Sequence, residues 1–267
     1  MNEAKSCMNA LADQTEKIPF FLFVGDSRIQ QMRDGLIFAL TGQDYDVYAN
    51  RQPVLNSTTY SNFGADENIY KATGAQIKFE WQPHLDSGLG PMSTLLKNIS
   101  KLQYKPDLLV IGAGVWSIKE CELAKNIQET CAAIYREQFR SMLPRLEELA
   151  TTTDIVWAPQ NAIRENLMTT RNIDRGFTNK NMQLYNDMVR QVLISMYGKL
   201  QGSPVIFWES AWEVSVRLGD GIDGVHLGHD TKLHLAQMIL DWICRPVSLE
   251  SEFAISESLN TPGYCCL

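Results

Sequence analysis

The chain is 267 residues long, and its content of 45% hydrophobic and 21% charged residues is that of an ordinary globular domain, which excludes a wholly disordered or fibrous protein. A formal net charge of −7 with a pI near 5.2 sets the surface against phosphate backbones, so nucleic acid is excluded as a general partner, while a local basic site for a small anion remains possible. No run of about 18 or more apolar residues occurs, so no segment can span a bilayer as a helix, and the chain alone reads as soluble.

In chain order, residues 1–17 are polar, carry Glu3, Lys5, Asp13, Glu16 and Lys17, and lack the apolar core of a secretion signal. They read as an N-terminal extension of a protein that is either cytosolic or a piece of a longer one. Residues 20–24 are a continuous apolar run ending in Gly25-Asp26-Ser27, the pattern of a buried strand. Ile29, Met32, Leu36, Ile37 and Leu40 then fall on one helical face, closed by Gly42. Residues 45–74 are polar and weakly periodic, and read as a long loop with room for one strand. Ile77, Phe79 and Trp81 alternate with polar residues, as in a half-exposed edge strand.

Residues 108–111 form the second buried strand, ending in Gly112-Ala113-Gly114. Residues 134–149 read as a helix that Pro144 is expected to kink or break. A third strand covers 155–157, an amphipathic helix 182–196, a further strand 205–208 and a closing helix 233–243; residues 248–267 lack a core pattern and read as a linker or tail. This alternation predicts an α/β three-layer sandwich with a central, mostly parallel sheet, forming one catalytic domain over residues 18–247. The six cysteines are Cys7, Cys121, Cys131, Cys244, Cys265 and Cys266. They have no C-x-x-C spacing, so no zinc site is expected; their even number suits disulfides and leaves the pairing open. Glycosylation sequons begin at Asn56 and Asn98.

Ligands of open parallel sheets bind outside the carboxyl ends of the strands, and Ser27 sits at such an end. The free N–H groups that begin the next helix favour developing negative charge, so a serine there can attack a carbonyl while its own N–H receives the oxyanion. The competing reading is that Asp26 or Ser27 only caps the helix. Asp220-Gly-Ile-Asp223-Gly-Val-His226, just ahead of the closing helix, decides between them. A serine nucleophile needs a base and the base needs an orienting acceptor, and Asp223 and His226 supply both. Of the other histidines, His229 is the competitor, His234 falls within a helical pattern, and His84 stands in a loop with no motif.

Gly25-Asp26-Ser27 and Asp223-Gly224-Val225-His226, in that order and with this alternation, resemble the SGNH hydrolase superfamily. Gly112-Ala113-Gly114-Val115-Trp116-Ser117-Ile118-Lys119, Gln160-Asn161 and Tyr185-Asn186 further resemble the lumenal domains of sialate O-acetyltransferases, over residues 20–244. That resemblance implies a domain of the Golgi lumen, tethered to a membrane domain in a longer protein. Its serine takes acetyl from acetyl-CoA, a substrate rather than a bound cofactor, and passes it to CMP-sialic acid or a related glycan; no metal is expected.

For the oxyanion the resemblance implies the N–H groups of Ser27 and Gly114, with Gly112 as the alternative alignment, and a side-chain amide from Asn161 or Gln160. Where SGNH enzymes carry Gly-x-Asn this chain has Gly114-Val115-Trp116, a tryptophan that the PC-esterase group also tolerates. Trp116 would flank the ligand pocket or pack in the core. Gln160 is a further substrate-binding candidate, and for both Gln160 and Asn161 the competing role is to structure their loop. Arg28 would bind an anionic donor or acceptor, or lie solvated on the first helical turn. The same triad would also suit an esterase that removes O-acetyl groups from glycans or lipids. A non-catalytic glycan-binding domain is disfavoured by the intact Ser27, Asp223 and His226.

Overall fold

The computed structural model describes residues 2–43, 73–86 and 88–253. Its strands are β1 (Phe20–Gly25), β2 (Gln76–Trp81), β3 (Leu108–Gly112), β4 (Asp154–Trp157) and β5 (Val205–Phe207), all parallel in the order β2-β1-β3-β4-β5. The helices are α1 (Asn2–Thr15), α2 (Ser27–Thr41), α3 (Pro91–Ser100), α4 (Val115–Leu123), α5 (Gln128–Ala150), α6 (Thr170–Ile173), α7 (Asn179–Tyr197), α8 (Glu209–Leu218) and α9 (His229–Phe253).

Every residue of β1 and β3 is buried, because each strand is covered on both faces; that is why their sequences are unbroken apolar runs. Leu22, Val24, Leu109 and Ile111 point into one core with Leu96 of α3, Phe139 and Leu146 of α5 and Val189 of α7. Phe21, Phe23, Leu108 and Val110 point into the other with Met32 and Leu36 of α2 and Leu235 and Ile239 of α9. The result is the expected three-layer sandwich. β2 lies at the edge with a mostly half-buried pattern, as its alternation predicts.

The chain leaves β1 toward β2 on one side and returns past β1 to β3 on the other. The winding therefore reverses between β1 and β3, where the loops leaving the two strands part and open a crevice. Gly25 and Gly112 are register partners at that point.

Residues 128–150 form one continuous helix, longer than the expected 134–149 and not broken at Pro144. Proline in a helix interior costs about 3 kcal/mol, but Phe139, Met142, Leu143, Leu146 and Leu149 bury one face on both sides of it and hold the helix together. Residues 2–15, read as part of an extension, form α1, whose Met8 is fully buried against the second core. The closing helix continues to Phe253, into the stretch read as a tail. Disulfides join Cys7 to Cys244, and so α1 to α9, and Cys121 to Cys131, and so α4 to α5. Most of the 45–74 loop, Asn56, Cys265 and Cys266 lie outside the described residues. Among the described residues, no helix is long and apolar enough to cross a membrane.

Candidate active site

Gly25 ends β1 with φ of 157°, and a Cβ there would lie 2.1 Å from the Gly112 carbonyl oxygen, so only glycine lets the two strand ends approach this closely. Asp26 caps α2, its Oδ1 accepting from Arg28 N–H at 2.9 Å. The capping and nucleophile readings are thus divided between neighbours: Asp26 closes the helix, and the Ser27 hydroxyl is left for other partners.

Ser27 Oγ lies 3.0 Å from His226 Nε2, and His226 Nδ1 lies 2.8 Å from Asp223 Oδ2. An ionised carboxylate can only accept, so Nδ1 carries the proton, Nε2 is left as the acceptor and the serine hydroxyl donates to it. That is the tautomer a general base requires. Burial opposes ionisation of Asp223, but bonds from the His226 ring and backbone N–H, the favourable electrostatics of the imidazole and the Val225 N–H outweigh it. Together they hold the carboxyl well below the usual carboxylate range. Asp223 Oδ1 takes the N–H of Val225 at 3.0 Å and of His226 at 2.9 Å, so one side chain both folds the turn and orients the ring.

The loop carrying Asp223 and His226 is tied down at both ends. Asp220 accepts from Asp230 N–H at 2.7 Å, from Thr231 N–H at 3.1 Å and from the Thr231 hydroxyl, capping α9. Gln31, fully buried on α2, donates to and accepts from the Leu227 backbone. Neither residue was singled out as a positioning group from sequence. The only cue for Gln31 is a polar residue within the buried part of an apolar helix, which must find partners.

On the other side of the crevice, Gly114 begins α4, and its N–H, like that of Ser27, has no hydrogen-bond partner among the described residues. Trp116 is partly exposed and meets Trp81 and His84 edge-to-face, each at 6.0 Å between ring centroids, with Lys119 Nζ 3.9 Å from its centroid. Trp81 ends β2 opposite Gly25 and is 38% exposed, so this aromatic wall stands beside β1.

Three expected ligand contacts are corrected. Arg28 is 2% exposed and reaches inward to Gln160 Oε1 and the Asn161 carbonyl; burial lowers its pKa, against the raising effect of Asp26. Gln160 is 3% exposed and Asn161 1%, and the Asn161 amide donates to the Ala211 carbonyl at 3.3 Å. A buried amide already bonded to backbone is not available to an oxyanion, and a buried guanidinium cannot meet a ligand from solvent. All three lie behind the site rather than in it.

A doubly wound parallel sheet carries Gly-Asp-Ser at the end of its first strand, hydrogen-bonded to Asp-x-x-His ahead of its last helix, which is the arrangement that the resemblance to SGNH hydrolases predicts. No protein-family model matches the chain. It is 24% identical over 227 residues to the N-acetylneuraminate (7)9-O-acetyltransferase of Danio rerio, covering 84% of this chain and 26% of that protein. The chain thus spans about a quarter of the length of that curated relative. Among solved structures it is similar to a catalytic mutant of an acetylxylan esterase from Geobacillus stearothermophilus, with 16% identity, 84% of this chain and 94% of that chain covered, and a TM-score of 0.45. It is also similar to a carbohydrate acetylesterase from Sinorhizobium meliloti, with 14% identity, 86% and 100% covered, and a TM-score of 0.44.

Proposed function

We propose that this domain transfers acetyl groups through Ser27, from acetyl-CoA to a hydroxyl of a sialic acid, carried as CMP-sialic acid or on a related glycan. The observation that carries the acyl-transfer reading is the hydrogen-bonded run Asp223–His226–Ser27 at the reversal point of the sheet. His226 takes the Ser27 proton as Oγ attacks the acetyl carbonyl. The N–H groups of Ser27 and Gly114 receive the oxyanion. The thiol leaves with the proton from His226, and acetyl-Ser27 remains. His226 then takes the proton of a sugar hydroxyl, which attacks the acyl-enzyme and restores Ser27. Trp116 and Trp81 offer the apolar wall for the sugar ring.

The sialic acid acceptor is supported by the similarity to the fish N-acetylneuraminate (7)9-O-acetyltransferase. Two disulfides and an exposed sequon at Asn98 support an oxidising, lumenal compartment such as the Golgi. Intact-protein mass after incubation with acetyl-CoA tests the reading, wild type beside Ser27→Ala. One acetyl adduct in wild type alone, discharged by CMP-sialic acid, is the expected result. No adduct, with Ser27-dependent turnover of simple acetyl esters, would make the domain an esterase instead.

A further inference from the structure

We propose that Tyr135 and Gln160 are positioning residues that aim the Gly114 N–H at the oxyanion formed on Ser27; the proposal rests on the acyl-transfer reading above. Its basis is the carbonyl of Ala113, which receives two donors from the core: the Tyr135 hydroxyl at 2.5 Å and Gln160 Nε2 at 2.5 Å. The Ala113 carbonyl and the Gly114 N–H belong to one peptide unit. That unit is planar, and no cis bond occurs among the described residues, so its C=O and N–H point in opposite directions. Anchoring the oxygen in the interior therefore turns the N–H away from the interior. Both lone pairs of the oxygen are engaged, so the peptide cannot rotate without breaking a buried bond.

The next amide is turned the other way. Val115 N–H donates to Gln160 Oε1 at 3.1 Å, so one glutamine side chain holds the backbone on both sides of Gly114 and leaves only the Gly114 N–H uncommitted. The reversal needs φ of 147° at Gly114, and a Cβ there would lie 2.9 Å from Gln160 Cδ. Gln160 is itself fixed. Its N–H donates to Asn186 Oδ1 at 2.6 Å, its carbonyl accepts from Asn186 Nδ2 at 2.9 Å, and Arg28 donates to its Oε1. Arg28 follows the nucleophile directly, so one buried brace ties the Ser27 turn to the Gly114 turn. Burial pushes the Tyr135 hydroxyl well above its ordinary pKa, which keeps it a donor.

The test is steady-state hydrolysis of 4-nitrophenyl acetate by Tyr135→Phe, Gln160→Met and Gln160→Glu, with the backbone amide resonances of Gly114 and Val115 recorded in each folded variant. Because the oxyanion bond exists only in the transition state, kcat should fall with KM little changed: about 10-fold for Tyr135→Phe and about 100-fold for Gln160→Met. Gln160→Glu keeps an oxygen for Val115 and Arg28. It should lose less than Gln160→Met, and it carries the test if Gln160→Met does not fold. Wild-type kcat in folded Tyr135→Phe and Gln160→Glu, or a change confined to KM, would overturn the proposal. If wild type neither turns over the ester nor is labelled at Ser27 by a fluorophosphonate, the acyl-transfer reading fails. The brace is then judged by the resonances: a shifted Gly114 amide in Tyr135→Phe upholds it, and an unmoved one overturns it.

Discussion

Gln31 holds Leu227 by both ends of its backbone, Oε1 accepting from the Leu227 N–H at 2.8 Å and Nε2 donating to the Leu227 carbonyl at 3.0 Å. Ser27 begins α2 and Gln31 lies one turn further on; Leu227 directly follows His226. The pair therefore fixes Ser27 and His226 to one rigid element. Gln31→Leu leaves two buried backbone groups unpaired, with an expected cost of about 1–3 kcal/mol in chemical denaturation. Loosening the base should also lower kcat about 10- to 100-fold, measured on 4-nitrophenyl acetate. A variant that loses stability and keeps full kcat would show that α2 does not position His226.

Asp223 sets the His226 tautomer, so Asp223→Asn should fold and yet lose activity. Its amide presents a donor as readily as an acceptor to Nδ1, and the ring can then turn its proton toward Ser27. A fall in kcat on the order of 10³- to 10⁴-fold is expected, together with a lower thermal midpoint at neutral pH, because a carboxyl held below its usual range stabilises the fold when ionised.

Asp86 is a carboxylate whose stabilising effect depends on pH. Burial raises its pKa, but bonds from the Ser93 hydroxyl and the N–H groups of Ser93, Gly88 and Gly90 prevail, and the net shift is downward. A lowered native pKa means that the contribution is fully present above the ordinary value of 3.8 and is lost as pH falls through the native one. Asp86→Asn should therefore lower the thermal midpoint at pH 7, and the gap to wild type should close as acidification protonates the native carboxyl. An equal gap at neutral and at acidic pH would show that the ionised form contributes nothing special.

The Cys7–Cys244 disulfide closes a loop of 237 residues and lies about 22 Å along α9 from its start beside the site. Replacing both cysteines with serine should cost about 2–4 kcal/mol without altering kcat. Thermal melts and ester hydrolysis on the same preparation separate the two effects.

Much of this was legible in the sequence because its signals are local or strictly periodic. β1 and β3 are unbroken apolar runs because both faces are covered, and Gly25-Asp26-Ser27 and Asp223-x-x-His226 announce a nucleophile and a base by residue type. Arg28, Gln160 and Asn161 misled for a physical reason. Polar residues beside a nucleophile suit a ligand and a buried brace equally well, and only burial separates the two. Pro144 misled likewise, since local propensity forbids what the packing of α5 permits.

The sequence alone determined the alternation of strands and helices, the glycine at the end of β1 and the side-chain types available at Ser27, Asp223 and His226, since these depend on near neighbours and residue identity. Tertiary structure alone decided that His226 meets Ser27 across 199 residues, that Gln31 grips Leu227, and that Tyr135 and Gln160 share the Ala113 carbonyl. Those contacts depend on where the sheet reverses and how the helices pack over it. A hydrogen bond tolerates only a few tenths of an ångström, a precision that no local pattern encodes.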